Sequence, residues 1–296
     1  MKTAEQKELL RKCRHKAEIP ITIGAIILTI LMVVLVVFLA KLSANNDWAA
    51  DFLINTLGYE DTDLELVLKY GNILILILIG IQAIKLIWEL FKNAGIAMVN
   101  DIPMKESYSP EIYAEYTKYC EMLGINEPPK FLLALDTENL ESTGITIKSN
   151  RYLRLNAEIL ELTEYFGDNV VRFEVLRNLA HIAYNHYNYC LLIATVVARW
   201  LPFVRCIYNR VMCYSVDRLV AELMGKDEAI TLLLQYYLAF AYEEEKRDEY
   251  IDRIKDVKLN RVERLSAVLN NLTSDTPSYL YRIKALVEDN NNGRLI

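Results

Sequence analysis

Between Phe173 and His186 the chain reads Phe-Glu-Val-Leu-Arg-Asn-Leu-Ala-His-Ile-Ala-Tyr-Asn-His. Apolar residues recur there at helical spacing, and two imidazoles, His181 and His186, close the segment. A helix that holds a hydrolytic metal carries His at i and i+4, so that both rings face one ion. A Glu between them takes the proton of the attacking water. Here the first ligand position is Arg177, the general-base position is Asn178 and the second ligand position is His181. A guanidinium stays charged and repels a metal, and a carboxamide accepts no proton from water at neutral pH. His186 stands about 140° around a straight helix from His181, so the two cannot share an ion while the helix continues. The spacing suggests metal chemistry, while the residue types suggest a core histidine on an apolar helix.

The elements that would position this helix are embedded in an unusually apolar chain of 296 residues, 53% of them hydrophobic. That length supports one or two domains, and that composition points to membrane segments. A net charge of −6 and a pI near 5.3 argue against nucleic acid as a partner, since such binding rests on neutralised phosphates. The five cysteines, Cys13, Cys120, Cys190, Cys206 and Cys213, form no C-x-x-C pair and suit a reducing compartment.

The first 18 residues carry Lys2, Lys7, Arg11, Lys12, Arg14 and Lys16. An uncharged run from Ile21 to Ala40 follows, about 20 residues and so long enough to cross a hydrocarbon core of about 30 Å. A signal peptide would be shorter and would end at a small-residue cleavage site, so a span is expected. Residues 43–68 hold six acids and no Lys or Arg. A second apolar run extends from Ile73 to Phe91, with Lys85 near its end, where it can snorkel. The positive-inside rule places both ends of this pair in the cytoplasm. The expected organisation is a basic cytoplasmic N-terminus (1–18), a transmembrane helix pair with a short acidic outer loop (19–95), a cytoplasmic main domain (96–288) and a tail (289–296). The chain would then be an integral protein of the cell membrane, with the lipid bilayer as one partner.

Within the main domain, residues 109–124 read as a helix closing at Gly124. Residues 131–135, 145–148 and 152–155 read as short strands of one small sheet. A helix is expected from an Asn156 cap, and the Phe173–His186 helix over about 169–187. Residues 189–208 are apolar yet contain Arg199, Pro202 and Arg205. They could cross, re-enter or lie on a membrane, or pack in the core. Helices over 209–225 with a Gly225 cap, 226–242, 243–256 and 277–288 complete a mainly α fold with a small β-sheet.

Beside this helix stands Asn209-Arg-Val-Met-Cys-Tyr-Ser-Val-Asp-Arg, and farther on Ser274-Asp-Thr-Pro-Ser-Tyr-Leu-Tyr-Arg-Ile-Lys-Ala-Leu. Together with Gly124 to Leu162 and the paired N-terminal runs, these stretches resemble, in order, the HtpX-type and CAAX-prenyl-type membrane zinc metallopeptidases. Arg210, Asp217 and Arg218 fall on positions of that family's second motif, and Pro277, Arg282, Ile283 and Leu286 on its C-terminal one. The resemblance implies a zincin-like α+β domain. It also implies that Arg177, His181 and Cys213 occupy the three zinc-ligand positions. Only His181 keeps its ligand type. Asp217 and His186 would lie just outside the metal shell.

What the resemblance implies for function follows from the ligand count, since a catalytic zinc needs about three protein ligands and an open position. The leading expectation is a pseudopeptidase with no catalytic residue, no metal and no cofactor. It would bind a polypeptide partner along an edge strand near Ile145 to Leu155. Arg177 would replace the metal's charge, pairing with Asp217 or Glu174 and joining two helices. The alternative is an active zinc metalloendopeptidase with a rebuilt site of His181, Cys213 and Asp217. A third reading makes the likeness architectural only.

Overall fold

The computed structural model describes residues 2–44, 101–134, 143–145, 151–238, 241–256, 261–274, 276–288 and 293. Between 44 and 101 it also describes Tyr70, Ile73, Ile77, Gly80, Ile81, Ile84, Lys85 and Trp88. Almost all of the expected acidic loop and of the expected tail lie outside the described residues.

The basic N-terminus is a helix, α1 (Ala4–Cys13), opened by a capping box in which Thr3 and Gln6 satisfy each other's backbone N–H groups. It is not a loose leader. Leu10 and Cys13 are buried, Lys12 pairs with Glu222 at 2.7 Å, and the Tyr184 hydroxyl donates to the Leu10 carbonyl at 3.1 Å. Helix α2 (Glu18–Ala44) follows and is long and apolar enough to cross a membrane. Its buried and half-buried positions form one stripe through Glu18, Ile21, Thr22, Ala25, Ile26, Leu28, Thr29 and Met32, while Ile23, Ile27, Ile30 and Leu31 stand exposed. The described positions between Tyr70 and Trp88 are helical as well.

The chain then builds a four-stranded sheet from β1 (Ile102–Pro103), β2 (Lys130–Ala134), β3 (Thr143–Ile145) and β4 (Arg151–Asn156), in the order β1-β2-β4-β3. Strand β2 runs parallel to β4, and both outer strands are antiparallel to their neighbours. Between β1 and β2 lies α3 (Pro110–Met122). It ends where Gly124 takes φ 62° and the Ile125 N–H reaches back to the Cys120 carbonyl. A Cβ at Gly124 would overlap the Gln6 side chain, which donates to the Glu121 carbonyl and docks α1 there.

Helix α4 (Ala157–Phe166) starts directly after Asn156, and α5 (Asn169–Ala183) is the segment with the two-histidine ending. α5 is the central element, packed by α3, α4, β4 and by α8 (Pro202–Met224). The short helices α6 (Tyr189–Ala194) and α7 (Val196–Trp200) connect α5 to α8. Gly225, at φ 110°, stops α8 as expected, and α9 (Lys226–Leu238) turns back along it. After a 3-10 turn at Glu244–Lys246 come α10 (Arg247–Asp256), α11 (Arg261–Thr273) and α12 (Tyr279–Val287).

Three expectations need correction. Helix α5 ends at Ala183, four residues before the expected 187, because the chain reverses at Asn185, whose φ is 59°. Residues 189–208 do not form one spanning helix, because the chain breaks at Thr195 and again at Leu201, before Pro202. Finally, β4 is paired on both sides, so the outer position falls to β3 and not to the whole of Ile145 to Leu155. Strand β1 and helix α11 were not foreseen.

Strand alternation sorts β4 into two faces. Leu153 and Leu155 enter the main core beside α5, while Tyr152 packs with Leu132 in a separate small cluster. On that second face Arg154 makes a buried bidentate pair with Asp101, with Nη2 donating to Oδ1 at 2.7 Å. This pair ties β4 to the start of β1 across β2. Removing one partner strands the other charge in the core. Asp101→Ala is therefore expected to lose about 3–5 kcal/mol of stability, read by chemical denaturation of the full chain in detergent. Asp101→Leu combined with Arg154→Met is expected to recover most of that loss.

Candidate functional site

Helix α5 ends in a Schellman motif. The Asn185 N–H bonds the Ile182 carbonyl at 3.0 Å, the His186 N–H bonds the His181 carbonyl at 3.1 Å, and Asn185 itself sits at φ 59°. Asn tolerates this left-handed conformation better than other non-glycine residues. The reversal folds His186 back over the last turn, so its Nδ1 stands 3.0 Å from Nδ1 of His181. The expected 140° separation assumed a helix that ran on; the turn cancels it. Two cations cover the carbonyl end of this helix. Lys2 donates to the Ala183 carbonyl, and Arg151 bonds the Asn185 side chain at 2.7 Å.

His186 also faces the head of α2. Its Nε2 lies 3.4 Å from Glu18 Oε1, the same carboxylate accepts from the Ser215 hydroxyl on α8, and Arg14 Nε is 3.1 Å away. For two neutral rings, one tautomer pair satisfies both contacts. His186 carries its proton on Nε2 toward Glu18, and His181 donates from Nδ1 to the lone pair of His186 Nδ1. The Nε2 lone pair of His181 is then left over.

Helix α8 packs on α5, and α12 packs on α8. Asp217 is buried and both its oxygens are taken by Arg282, with Nη2 at 2.6 Å from Oδ1 and Nε at 2.7 Å from Oδ2. The buried Cys213 thiol donates toward Asp217 Oδ2, with S···O 3.9 Å. Arg177 is mostly buried, with Nη1 3.7 Å from Glu174 Oε2 on its own helix. The expected Arg177–Glu174 pair is therefore present, but it does not bridge two helices. That bridge to Asp217 is made by Arg282.

These charges set the ionisation of the site. Burial, then the neighbouring His186, Arg177 and Arg282, hold the His181 imidazolium well below its ordinary range. Burial also lowers His186, aided by Arg14 and Arg199 and opposed by Glu18. The Cys213 thiol is pushed up by burial and by Asp217, which favours the thiol over the thiolate. The donor set does not fit zinc. Both Asp217 oxygens accept from Arg282, the Cys213 thiol donates toward Asp217, and two guanidiniums act on the position of His181. Among the described residues no three His, Cys, Asp or Glu side chains stand together as a metal-sized cluster.

Sequence reasoning singled out Arg177, Asn178, His181, His186, Cys213 and Asp217. It did not assign roles to Glu18, Arg14 or Ser215, and it noted Arg282 only as a matching position. A lone acid at the head of an apolar run and an Asn at a helix end were the available signals. No protein-family model, curated protein or solved structure matches the chain.

The two depressed imidazoles predict a pH dependence. Above an unfolded-state pKa of about 6.5, both states hold neutral rings and stability is flat. As pH falls below that value the unfolded chain takes up protons that the folded chain refuses, so stability is lost on acidification. Each ring contributes at most about 1.4 kcal/mol per pH unit. Unfolding midpoints in mild detergent are expected to drop between about pH 6.5 and 5, and His181→Gln with His186→Asn to flatten that slope.

Proposed function

We propose that this protein is a membrane-anchored relative of the HtpX-type metallopeptidases whose site has become a charge-paired scaffold, and that it binds an extended polypeptide without cleaving it. One observation carries the reading. The three segments of the resemblance, on α5, α8 and α12, come together, and Arg282 occupies both oxygens of Asp217 beside Cys213 and His181. The Arg282 guanidinium neutralises that carboxylate by a bidentate pair. Asn178, buried on α5, offers no base for water.

The membrane part of the reading is supported by how the chain returns to itself. α1 and the domain beyond Asp101 pack together, so they lie on one side of any bilayer that α2 crosses. A chain that leaves through α2 must cross back before Asp101, and the helical positions from Tyr70 to Trp88 supply a segment for this. The basic residues of α1 favour the cytoplasm for that side. For the polypeptide, β3 offers an outer backbone edge next to α5.

Metal analysis of the full chain, purified in detergent, is expected to find no stoichiometric zinc, and no cleavage of an unfolded substrate. Stoichiometric zinc with chelator-sensitive cleavage would overturn the proposal. Successive N–H groups of β3 point to opposite sides. Either Gly144→Pro or Ile145→Pro therefore removes an outward donor and spares the β4 ladder. That variant is expected to bind labelled unstructured peptides roughly fivefold more weakly, by fluorescence anisotropy.

A further inference from the structure

The elbow between α5 and α8 leaves large apolar side chains in the open. Ile193 is 66% exposed, Trp200 43%, Leu201 38% and Phe203 58%. A soluble domain seldom keeps such a group uncovered. The elbow packs directly on α2, through α6, α7 and α8.

Its level along α2 follows from the order of contacts. Lys12 meets Glu222, the His15 N–H donates to the Ser215 hydroxyl at 2.9 Å, and that hydroxyl bonds Glu18. Advancing along α1 and α2 thus means retreating along α8, so the two run antiparallel. From Ser215 back to Pro202, α8 covers about 20 Å. The buried stripe of α2 from Glu18 to Met32 covers about 21 Å. The start of α8 and the turns before it therefore flank the apolar half of α2 that a hydrocarbon core of about 30 Å would enclose.

We infer that the elbow formed by α6, α7 and the first turns of α8 is a re-entrant lipid-embedded element. It would sit in the same leaflet as the first half of α2, its occupant being acyl chains and the interfacial region of the bilayer. The inference rests on α2 being a membrane span. A broken backbone is tolerated at that depth where its polar groups are met from within the protein, and at both breaks bonds of this kind are present. At the first break the Thr195 N–H and hydroxyl both reach the Leu191 carbonyl, at 3.0 and 2.7 Å. At the second, the Leu201 N–H bonds the Val197 carbonyl at 3.1 Å and the Arg205 N–H bonds the Leu201 carbonyl at 2.9 Å. The elbow holds two cations: Arg205, in the first turn of α8, is half-buried and has a partner, and Arg199 is engaged as well. Arg199 donates to the Thr195 hydroxyl at 3.2 Å and to the His186 carbonyl at 3.5 Å, and lies 5.3 Å over the Tyr208 ring. An Arg so engaged can sit below the headgroups without a bare charge. Trp200 is of the type enriched where a protein meets the membrane interface.

The test uses the full chain in vesicles of phosphatidylcholine and phosphatidylglycerol, with or without bromine on the phosphatidylcholine acyl chains. One variant keeps Trp200 as sole tryptophan through Trp48→Phe and Trp88→Phe. A second removes all three tryptophans, with Trp200→Phe, and carries Ile30→Trp on α2 as the reporter of the span. Brominated lipid is expected to quench both reporters several-fold, and aqueous iodide to leave both bright. If Ile30→Trp is quenched by bromine while Trp200 is not, the elbow lies outside the lipid and the inference fails, with the span intact. That outcome covers both a solvent-exposed elbow, open to iodide, and one covered by another polypeptide, shielded from both quenchers. If neither reporter responds to bromine, the span reading fails and takes the elbow with it.

Discussion

The arrangement around α5 depends on the buried pair of Asp217 and Arg282. Two charges in a low-dielectric interior are costly unless each is met by geometry that uses all its groups. Here both carboxylate oxygens accept from one guanidinium fork, and the guanidinium also lies 5.2 Å over the Tyr279 ring. The partners are 65 residues apart in sequence, on α8 and α12. Satisfying them holds the C-terminal helix onto the middle of the domain, where Ile283 and Leu286 then close the core beside α9.

A second polar joint connects that centre to the apolar N-terminal helix. Glu18, at the head of α2, meets His186, Ser215 and Arg14, and His186 in turn meets His181. The site and the base of α2 are thus neighbours through two imidazoles. A displacement of α2 must be absorbed by this chain of contacts, since the packed side chains around it leave little slack.

On the proposed reading, both joints border the positions where a hydrolytic site would have held a metal and a water. Three substitutions then belong together. Arg177 and Asn178 remove the first ligand and the base, and a Cys213 held as a thiol beside Asp217 leaves that carboxylate to Arg282. The outcome is a neutralised cluster that stabilises helix packing, while the outer strand β3 keeps its backbone edge beside α5.

Much of the element layout was legible in the residues. Gly124 and Gly225 mark helix ends because only a residue without Cβ takes those backbone angles freely. Strand β2 announces itself by a short apolar run, β4 by alternation and α2 by an uncharged run of membrane length, while the expected strand 145–148 meets β3 only at Ile145 and otherwise lies outside the described residues. The identity of the altered positions, Arg177, Asn178 and Cys213, also followed from sequence alone. Tertiary structure decided what sequence periodicity could not. A helical wheel separates His181 from His186, but one left-handed Asn185 reverses the chain and puts the rings in contact. Arg282 and Glu18 acquired roles only through helices distant in sequence. The apolar stretch 189–208 became an elbow because Pro202 and the Thr195 turn interrupt the backbone, while packing against α2 fixes its place. Local spacing reports what one element can do. Which charge meets which depends on how the elements pack, and that is set by the whole core at once.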